Sequence, residues 1–247
     1  MKFIKFILVI GLSLLLASCA SNENPMAAFK NKTAAQILSG GKQLLAKGSY
    51  SDAIVNFEAL DALYPFGNEA KQGQISIIYA YYKNGDFAPA VAAADRYAHL
   101  YPRDEKVAYT YYMKGIINLE SGLNWLQKMY HSEQSKLDLK SLRVAFSNFN
   151  ELVQQYPNSI YANDARNRMI YIRNALADHE VTVADFYLSH KAYVAAINRA
   201  NYLVKHLQGA PAMARALQIM AEGYKALGET EKANDTLRIL KINYPKS

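Results

Sequence analysis

Residues 48–65 read GSYSDAIVNFEALDALYP, and residues 85–102 read GDFAPAVAAADRYAHLYP, the same pattern 37 positions later. Each stretch opens with a glycine, carries an alanine five residues on, and closes with Tyr-Pro. Glycine permits the positive φ of a tight turn, and proline disfavours helical backbone in the residue before it. The pattern therefore predicts a repeated unit in which a helix runs from a glycine turn to a terminating proline.

Three further stretches fit the same frame. They are centred on Ala145, on Ala196 and on Ala233, and the copy at Ala196 alone lacks a closing proline. A small residue at this position lets two crossing helices approach closely. We expect an aromatic residue or leucine one turn later, such as Phe149 or Leu237, to fill the gap beside it.

A second amphipathic helix precedes each frame. Before the last copy, Leu217, Met220, Ala221 and Tyr224 fall at i, i+3, i+4 and i+7, the spacing of one helical face. At these residues the pattern is similar to tetratricopeptide (TPR) repeats, which pair two helices in about 34 residues. We predict an all-α fold, a superhelical α-solenoid of five TPR-like helix pairs with a concave inner face. An unrelated all-α bundle is the alternative.

The repeat spacing divides the chain. Residues 33–102 hold repeats one and two, residues 103–157 hold repeat three, and residues 158–247 hold repeats four and five. The longer intervals between the later copies predict an inserted loop at 121–139 and an extension of the first helix of repeat four at 160–176.

The N-terminus has the features of an export signal. Lys2 and Lys5 precede an apolar run too short to span a bilayer, and Leu-Ala-Ser-Cys ends at Cys19, the only cysteine. This is the lipobox pattern of bacterial lipoproteins, which predicts a signal peptide at 1–18 and an N-acyl, S-diacylglycerol lipid on Cys19. Residues 19–32 then form a polar tether, and Ala20 rather than aspartate favours the outer membrane. The alternatives are an ordinary signal peptide with a chance cysteine and a buried free cysteine.

The distribution of charged residues and histidines argues against nucleic-acid binding and metal binding. The formal net charge is +7 without any run of like charges, which argues against nucleic-acid binding. The five histidines are scattered, and none stands in a metal-ligand spacing. His179-Glu180 lacks the second histidine of a zinc-protease motif. We therefore predict a binding protein rather than an enzyme, with no metal and no cofactor.

Several stretches indicate which family of TPR proteins the chain resembles. Residues 64–67 read YPFG, residues 156–161 read YPNSIY, residues 183–187 read VADFY and residues 193–199 read YVAAINR. Together with the lipobox, the chain resembles the BamD family of TPR lipoproteins in the outer-membrane β-barrel assembly machine. The resemblance implies a periplasmic scaffold that docks on the POTRA domains of the barrel subunit BamA. It also implies contacts with other assembly lipoproteins and with unfolded outer-membrane proteins.

The resemblance also suggests site residues. Arg199, with its neighbour Asn198, stands at the family's Asn-Arg position, which implies pairing with an acidic group of the barrel subunit. Tyr64, Phe66 and Tyr187 are carried over as candidate substrate contacts. Without the family, Arg199 is equally a surface arginine, and Tyr64 and Tyr187 equally pack within their repeats.

Two other functions stay open. A TPR lipoprotein of another system, such as a pilotin-like factor for a secretin or pilus, would share the anchor and the repeats. An enzyme on an α-solenoid would require a polar cluster that the sequence does not reveal.

Overall fold

The computed structural model describes residues 25–122 and 139–245. Within these residues it contains a short 3-10 helix (Pro25–Phe29), ten α-helices and no β-strand. The α-helices are α1 (Ala34–Ala46), α2 (Tyr50–Leu63), α3 (Asn68–Asn84), α4 (Phe87–Leu100), α5 (Val107–Gly122), α6 (Leu139–Gln155), α7 (Ala162–Ser189), α8 (Tyr193–His206), α9 (Met213–Ala226) and α10 (Thr230–Asn243). The prediction of an all-α chain of five TPR-like helix pairs is confirmed, and its superhelical course stays a prediction.

The chain forms two compact units, divided after Ala80. The first unit contains α1, α2 and most of α3. The second contains the end of α3 and all helices from α4 to α10.

In the first unit, α1 packs against α2 at a glycine. A Cβ built on Gly41 would lie 2.6 Å from the ring of Phe57, which is buried. Since real Cβ atoms do not approach so closely, any larger residue here would have to displace this ring. A capping box starts α1: Thr33 N–H donates to the Gln36 side chain over 2.9 Å, and Gln36 N–H donates to the Thr33 hydroxyl.

The third pair repeats this contact in the second unit. A Cβ on Gly115 of α5 would lie 2.6 Å from two ring carbons of Phe149 on α6. Phe149 is fully buried, so the glycine creates the space that the aromatic ring fills. Burying such a side chain contributes about 2–3 kcal/mol. The prediction for Phe149 is confirmed.

The predicted small residues of the second helices are all buried. Ala53, Ala90, Ala145 and Ala196 have no exposed surface, and Ala233 has 5%. The prediction for Leu237 is wrong, because this leucine is half exposed and Thr236 is buried in its place. Within the described chain no further helix follows α10, so nothing covers that face.

The turn inside a pair has a repeated geometry. Between α1 and α2, Gly48 N–H donates to the Leu45 carbonyl and Ser49 N–H to the Leu44 carbonyl, the two bonds of a Schellman motif. Gly48 has a φ of +79°, which glycine adopts without strain.

The same pair of bonds follows α3, α7 and α9. Gly85 and Gly228 take the left-handed position in two of these turns, as the frame predicts. After α7 the position is held by Lys191, whose φ is +61°. Lysine carries the Cβ strain that glycine avoids.

Prolines follow the ends of second helices as predicted. Tyr64, Tyr101 and Tyr244 each precede a proline and have φ between −129° and −137°, outside the helical region. Leu207 ends α8 at a φ of −123° without a proline.

The second unit is built around a long helix. The 28-residue α7 packs on α6 and α8, and its buried residues join one hydrophobic core that extends from α5 to α9. The predicted extension of this helix is confirmed.

The predicted loop at 121–139 lies mostly outside the described residues. At its ends, α5 continues through Gly122 and α6 begins at Leu139.

Part of the predicted tether is folded. Phe29 is buried, the Lys32 ammonium lies 4.9 Å from the centre of its ring, and the 3-10 helix contacts α2. Residues 25–32 therefore belong to the first unit, whereas Cys19 and the signal peptide lie outside the described residues. Because this stretch is polar in composition, the sequence does not indicate that its single aromatic residue, Phe29, attaches it to the first unit.

Candidate functional site

Tyr64 and Phe66 lie in the connection between α2 and α3 of the first unit. The Tyr64 hydroxyl donates a 2.8 Å hydrogen bond to the Lys32 carbonyl, which fixes the ring against the N-terminal segment. Phe66 is 88% exposed, with Gly67 beside it at a φ of +104°. Of the two predicted contacts in this unit, Phe66 is therefore presented to solvent and Tyr64 is held by its own chain.

Tyr187 lies near the end of α7 in the second unit. It is partly buried and packs on the hydrophobic core. Its neighbour Phe186 is 56% exposed, with its ring 4.2 Å from the ring of His190. The accessible aromatic residue of this segment is thus Phe186. The family resemblance singled out Tyr187 and not Phe186, although Tyr187 continues the apolar face of Val183 and Ala184, a spacing that favours packing within the repeat.

Arg199 takes part in an ion cluster that joins three helices. Its guanidinium, on α8, donates a 3.3 Å hydrogen bond to Glu180 of α7, and Arg143 of α6 approaches the other oxygen of Glu180 to 3.8 Å. The Glu180 side chain is only 3% exposed, whereas those of Arg199 and Arg143 are 48% and 51% exposed. A buried carboxylate therefore holds two arginines whose outer faces meet solvent.

This arrangement leaves a surplus positive charge at the surface. Two guanidiniums face one carboxylate, and each guanidinium carries five N–H donors. Only one of these, on Arg199, is used in the hydrogen bond to Glu180. The remaining N–H groups can bind a further carboxylate in the paired geometry that arginine favours. Asn198, the neighbouring predicted residue, is exposed.

A second ion network connects α7 and α9. Arg215 donates to Asp185 through two nitrogens at 2.6 and 3.2 Å, and to Glu222 at 3.1 Å. The hydrogen bond to Asp185 outweighs burial and raises the pKa of Arg215. This network is satisfied within the chain, and its role is to connect the helices.

Neither a metal site nor a membrane-spanning helix is found in residues 25–122 and 139–245. No group of three histidine, cysteine, aspartate or glutamate side chains in that part of the chain could hold a metal ion. None of the described helices is both long enough and apolar enough to cross a membrane.

The sequence matches a protein family over most of its length. The family, YfiO, is described as an outer membrane lipoprotein, and the match covers residues 30–239.

The chain is also similar to two proteins that share one name. An outer membrane protein assembly factor BamD of Vibrio cholerae is 37% identical over 208 residues, which are 84% of this chain and 86% of the relative. A protein of the same name from Haemophilus influenzae is 33% identical over 247 residues, covering 100% of this chain and 93% of the relative.

Similarity to solved structures is weaker. The crystal structure of the MamA protein aligns with 87% of this chain and 96% of its own, at 15% identity and a TM-score of 0.37.

Proposed function

The chain belongs to the YfiO family of outer membrane lipoproteins, and we propose that it is a scaffold that docks on the BamA barrel subunit and receives unfolded β-barrel proteins. Its BamD relatives are outer membrane protein assembly factors, and outer membrane protein assembly is the process in which this chain takes part. The proposal adds three steps to this role. They are docking on the POTRA domains, receipt of substrate and lipid anchoring.

The observation that carries the docking step is the exposed half of Arg199 above buried Glu180. Because Glu180 fixes one N–H of the guanidinium, less side-chain entropy is lost when a partner binds the rest. The surplus positive charge of the cluster favours an acidic group on the partner. An acidic side chain on a POTRA domain would complete the pairing.

Substrate contact in this proposal rests on the exposed aromatic residues. Phe66 in the first unit and Phe186 in the second each present a ring to solvent. The Tyr187 ring centre lies 5.9 Å from that of Phe186. Aromatic rings provide large apolar contact area with few rotatable bonds, which suits the capture of an unfolded chain.

The membrane anchor in this proposal is the lipid on Cys19. Two or more acyl chains give stable attachment where one gives only marginal attachment. Such an anchor would hold the repeats at the periplasmic face of the outer membrane. A Cys19→Ser variant that still fractionates with membranes in cells lacking the partner subunits would contradict this step.

The docking step is tested by comparing two arginine variants. Arg199→Gln should reduce recovery of BamA in affinity purification by at least tenfold. Arg143→Gln is the matched control, because it removes the other arginine from the same buried carboxylate. Recovery that is unchanged for Arg199→Gln would remove Arg199 from the interface, and an equal reduction for both variants would mean that Arg199 has no role beyond the charge that it shares with Arg143. Arg199→Glu is a poorer test, since it would place a second carboxylate against Glu180.

The substrate step is tested by photo-crosslinking in cells. A benzoyl-phenylalanine residue at Phe66 or Phe186 should trap newly exported β-barrel proteins. The same residue at Ile239, an exposed position of α10, serves as the control. If neither aromatic position gives more adducts than Ile239, the proposed substrate contacts are wrong.

A further inference from the structure

A cleft of about 630 Å³ lies in the second unit, between the start of α5 and the connection from α6 to α7. Its apolar lining comes from Tyr109, Tyr156, Pro157, Ile160 and Tyr161. The volume falls in the range of roughly 300–1,000 Å³ that is typical of ligand-binding clefts in proteins. The cleft contains none of the residues assigned above to docking or substrate capture.

The aromatic wall of this cleft is fixed in place. The Tyr161 ring lies 5.7 Å from that of Tyr109 and 4.9 Å from that of Tyr112, measured between ring centres. The Tyr112 hydroxyl donates a 2.7 Å hydrogen bond to Asp164, which also accepts from Arg168. A ligand would therefore meet a preformed surface and would not have to order it.

The rim of the cleft carries the polar groups. Glu105 and Lys106 are exposed there, and neither side chain has an ion-pair partner within residues 25–122 and 139–245. Gln155, Asn158 and Ser159 add amide and hydroxyl groups. Ile160 is 87% exposed, an unusual position for a large aliphatic side chain.

We propose that this cleft binds an extended peptide segment of a partner protein, which places one large apolar side chain against the tyrosine wall. The exposed Lys106 and Glu105 select flanking residues of opposite charge, an acidic one and a basic one. The amides and hydroxyls of the rim pair with the peptide backbone. A compact small molecule fits less well, because no charged side chain lining the cleft is buried to orient it.

Peptide binding to the full mature protein in detergent tests this proposal. The probe is a fluorescein-labelled heptapeptide with a central phenylalanine, an aspartate on one side and a lysine on the other. The comparison peptide has serine in place of the phenylalanine. Fluorescence anisotropy should give at least tenfold tighter binding for the phenylalanine peptide, and equal binding of the two would overturn the proposal.

Variants locate the binding to the cleft. Tyr109→Ala and Ile160→Ser should each weaken binding of the phenylalanine peptide at least fivefold. Ile160→Ser is the safer variant, because its side chain already lies in solvent. The matched control is Ile242→Ser, since Ile242 on α10 is also exposed, at 69%. Equal effects of Ile160→Ser and Ile242→Ser would contradict the assignment.

Charge reversal and self-association complete the test. Lys106→Glu should make the protein prefer a peptide in which lysine replaces the aspartate. A dimer in sedimentation velocity that Ile160→Ser abolishes would assign the cleft to a second copy of this chain, and would overturn the peptide proposal. Failure here would leave the docking and crosslinking tests of the proposed function unaffected, because they use other residues.

Discussion

Replacing Arg199 with alanine should destabilise the second unit, even though half of the arginine side chain is exposed. The reason is Glu180, which is buried and receives its 3.3 Å hydrogen bond from Arg199. Among the described residues only Arg143 then remains as an ion partner of Glu180, at 3.8 Å from the other oxygen. A buried charge without its partner is costly because the interior solvates it poorly.

The magnitude follows from this geometry. Removing one partner of a fully buried ion pair costs about 3–5 kcal/mol. Arg143 remains, and solvent reaches the cluster through the exposed guanidiniums, so we expect about 2 kcal/mol for Arg199→Ala. Glu180→Gln should cost about 1 kcal/mol or less, because both half-exposed arginines can be hydrated.

A double-mutant cycle separates the ion pair from general packing. Once Glu180 is replaced by the neutral glutamine, removing Arg199 no longer leaves a buried charge without its partner. Arg199→Ala combined with Glu180→Gln should therefore be more stable than the sum of the single effects predicts, by about 1 kcal/mol. The assay is urea denaturation followed by circular dichroism, with the slope of the transition unchanged between variants. Additive effects, or an Arg199→Ala variant within about 0.5 kcal/mol of the parent, would refute the reasoning.

Three other perturbations test the fold. Gly115→Ala should lower stability by about 1–2 kcal/mol in chemical denaturation, because its methyl group would displace the buried ring of Phe149. Lys191→Gly should raise stability by about 0.5–1 kcal/mol, because it removes a left-handed lysine from the turn after α7. Burial would raise the pKa of Asp164, but hydrogen bonds such as that from Arg168 outweigh it and hold the pKa below its ordinary value. The stability that this ionised carboxylate contributes is thus present at neutral pH and lost as pH falls through about 4 and below. Asp164→Asn should be less stable than the parent at pH 7 and should approach it at pH 3, and a constant difference in thermal midpoint would contradict this.

The sequence predicts the helix pairs well because their determinants are local. The glycine at Gly48, the alanine at Ala53 and the Tyr-Pro at the helix end act within one repeat, so their spacing is visible in the chain. The turn at Lys191 shows the limit of this reasoning. This turn has the same backbone hydrogen bonds as the glycine turns. A lysine in the sequence, however, does not indicate a left-handed backbone.

The candidate site is only partly visible in the sequence. Arg199 is singled out by family resemblance, but its partners Glu180 and Arg143 lie 19 and 56 residues away along the chain and are brought together by packing of α6, α7 and α8. Helical periodicity indicates which face of a helix is buried but not which charged side chains meet across helices. The same holds for the cleft beside Tyr109, whose walls come from the start of α5 and from the connection between α6 and α7.

The most direct test of the central claim is to identify the proteins that this chain binds in its own membrane. The tagged protein would be purified from detergent-solubilised envelopes, and its partners identified by mass spectrometry. An assembly scaffold predicts co-purification of the BamA barrel subunit and other assembly lipoproteins, with BamA reduced at least tenfold by Arg199→Gln. Recovery of secretin or pilus subunits without BamA would contradict the account.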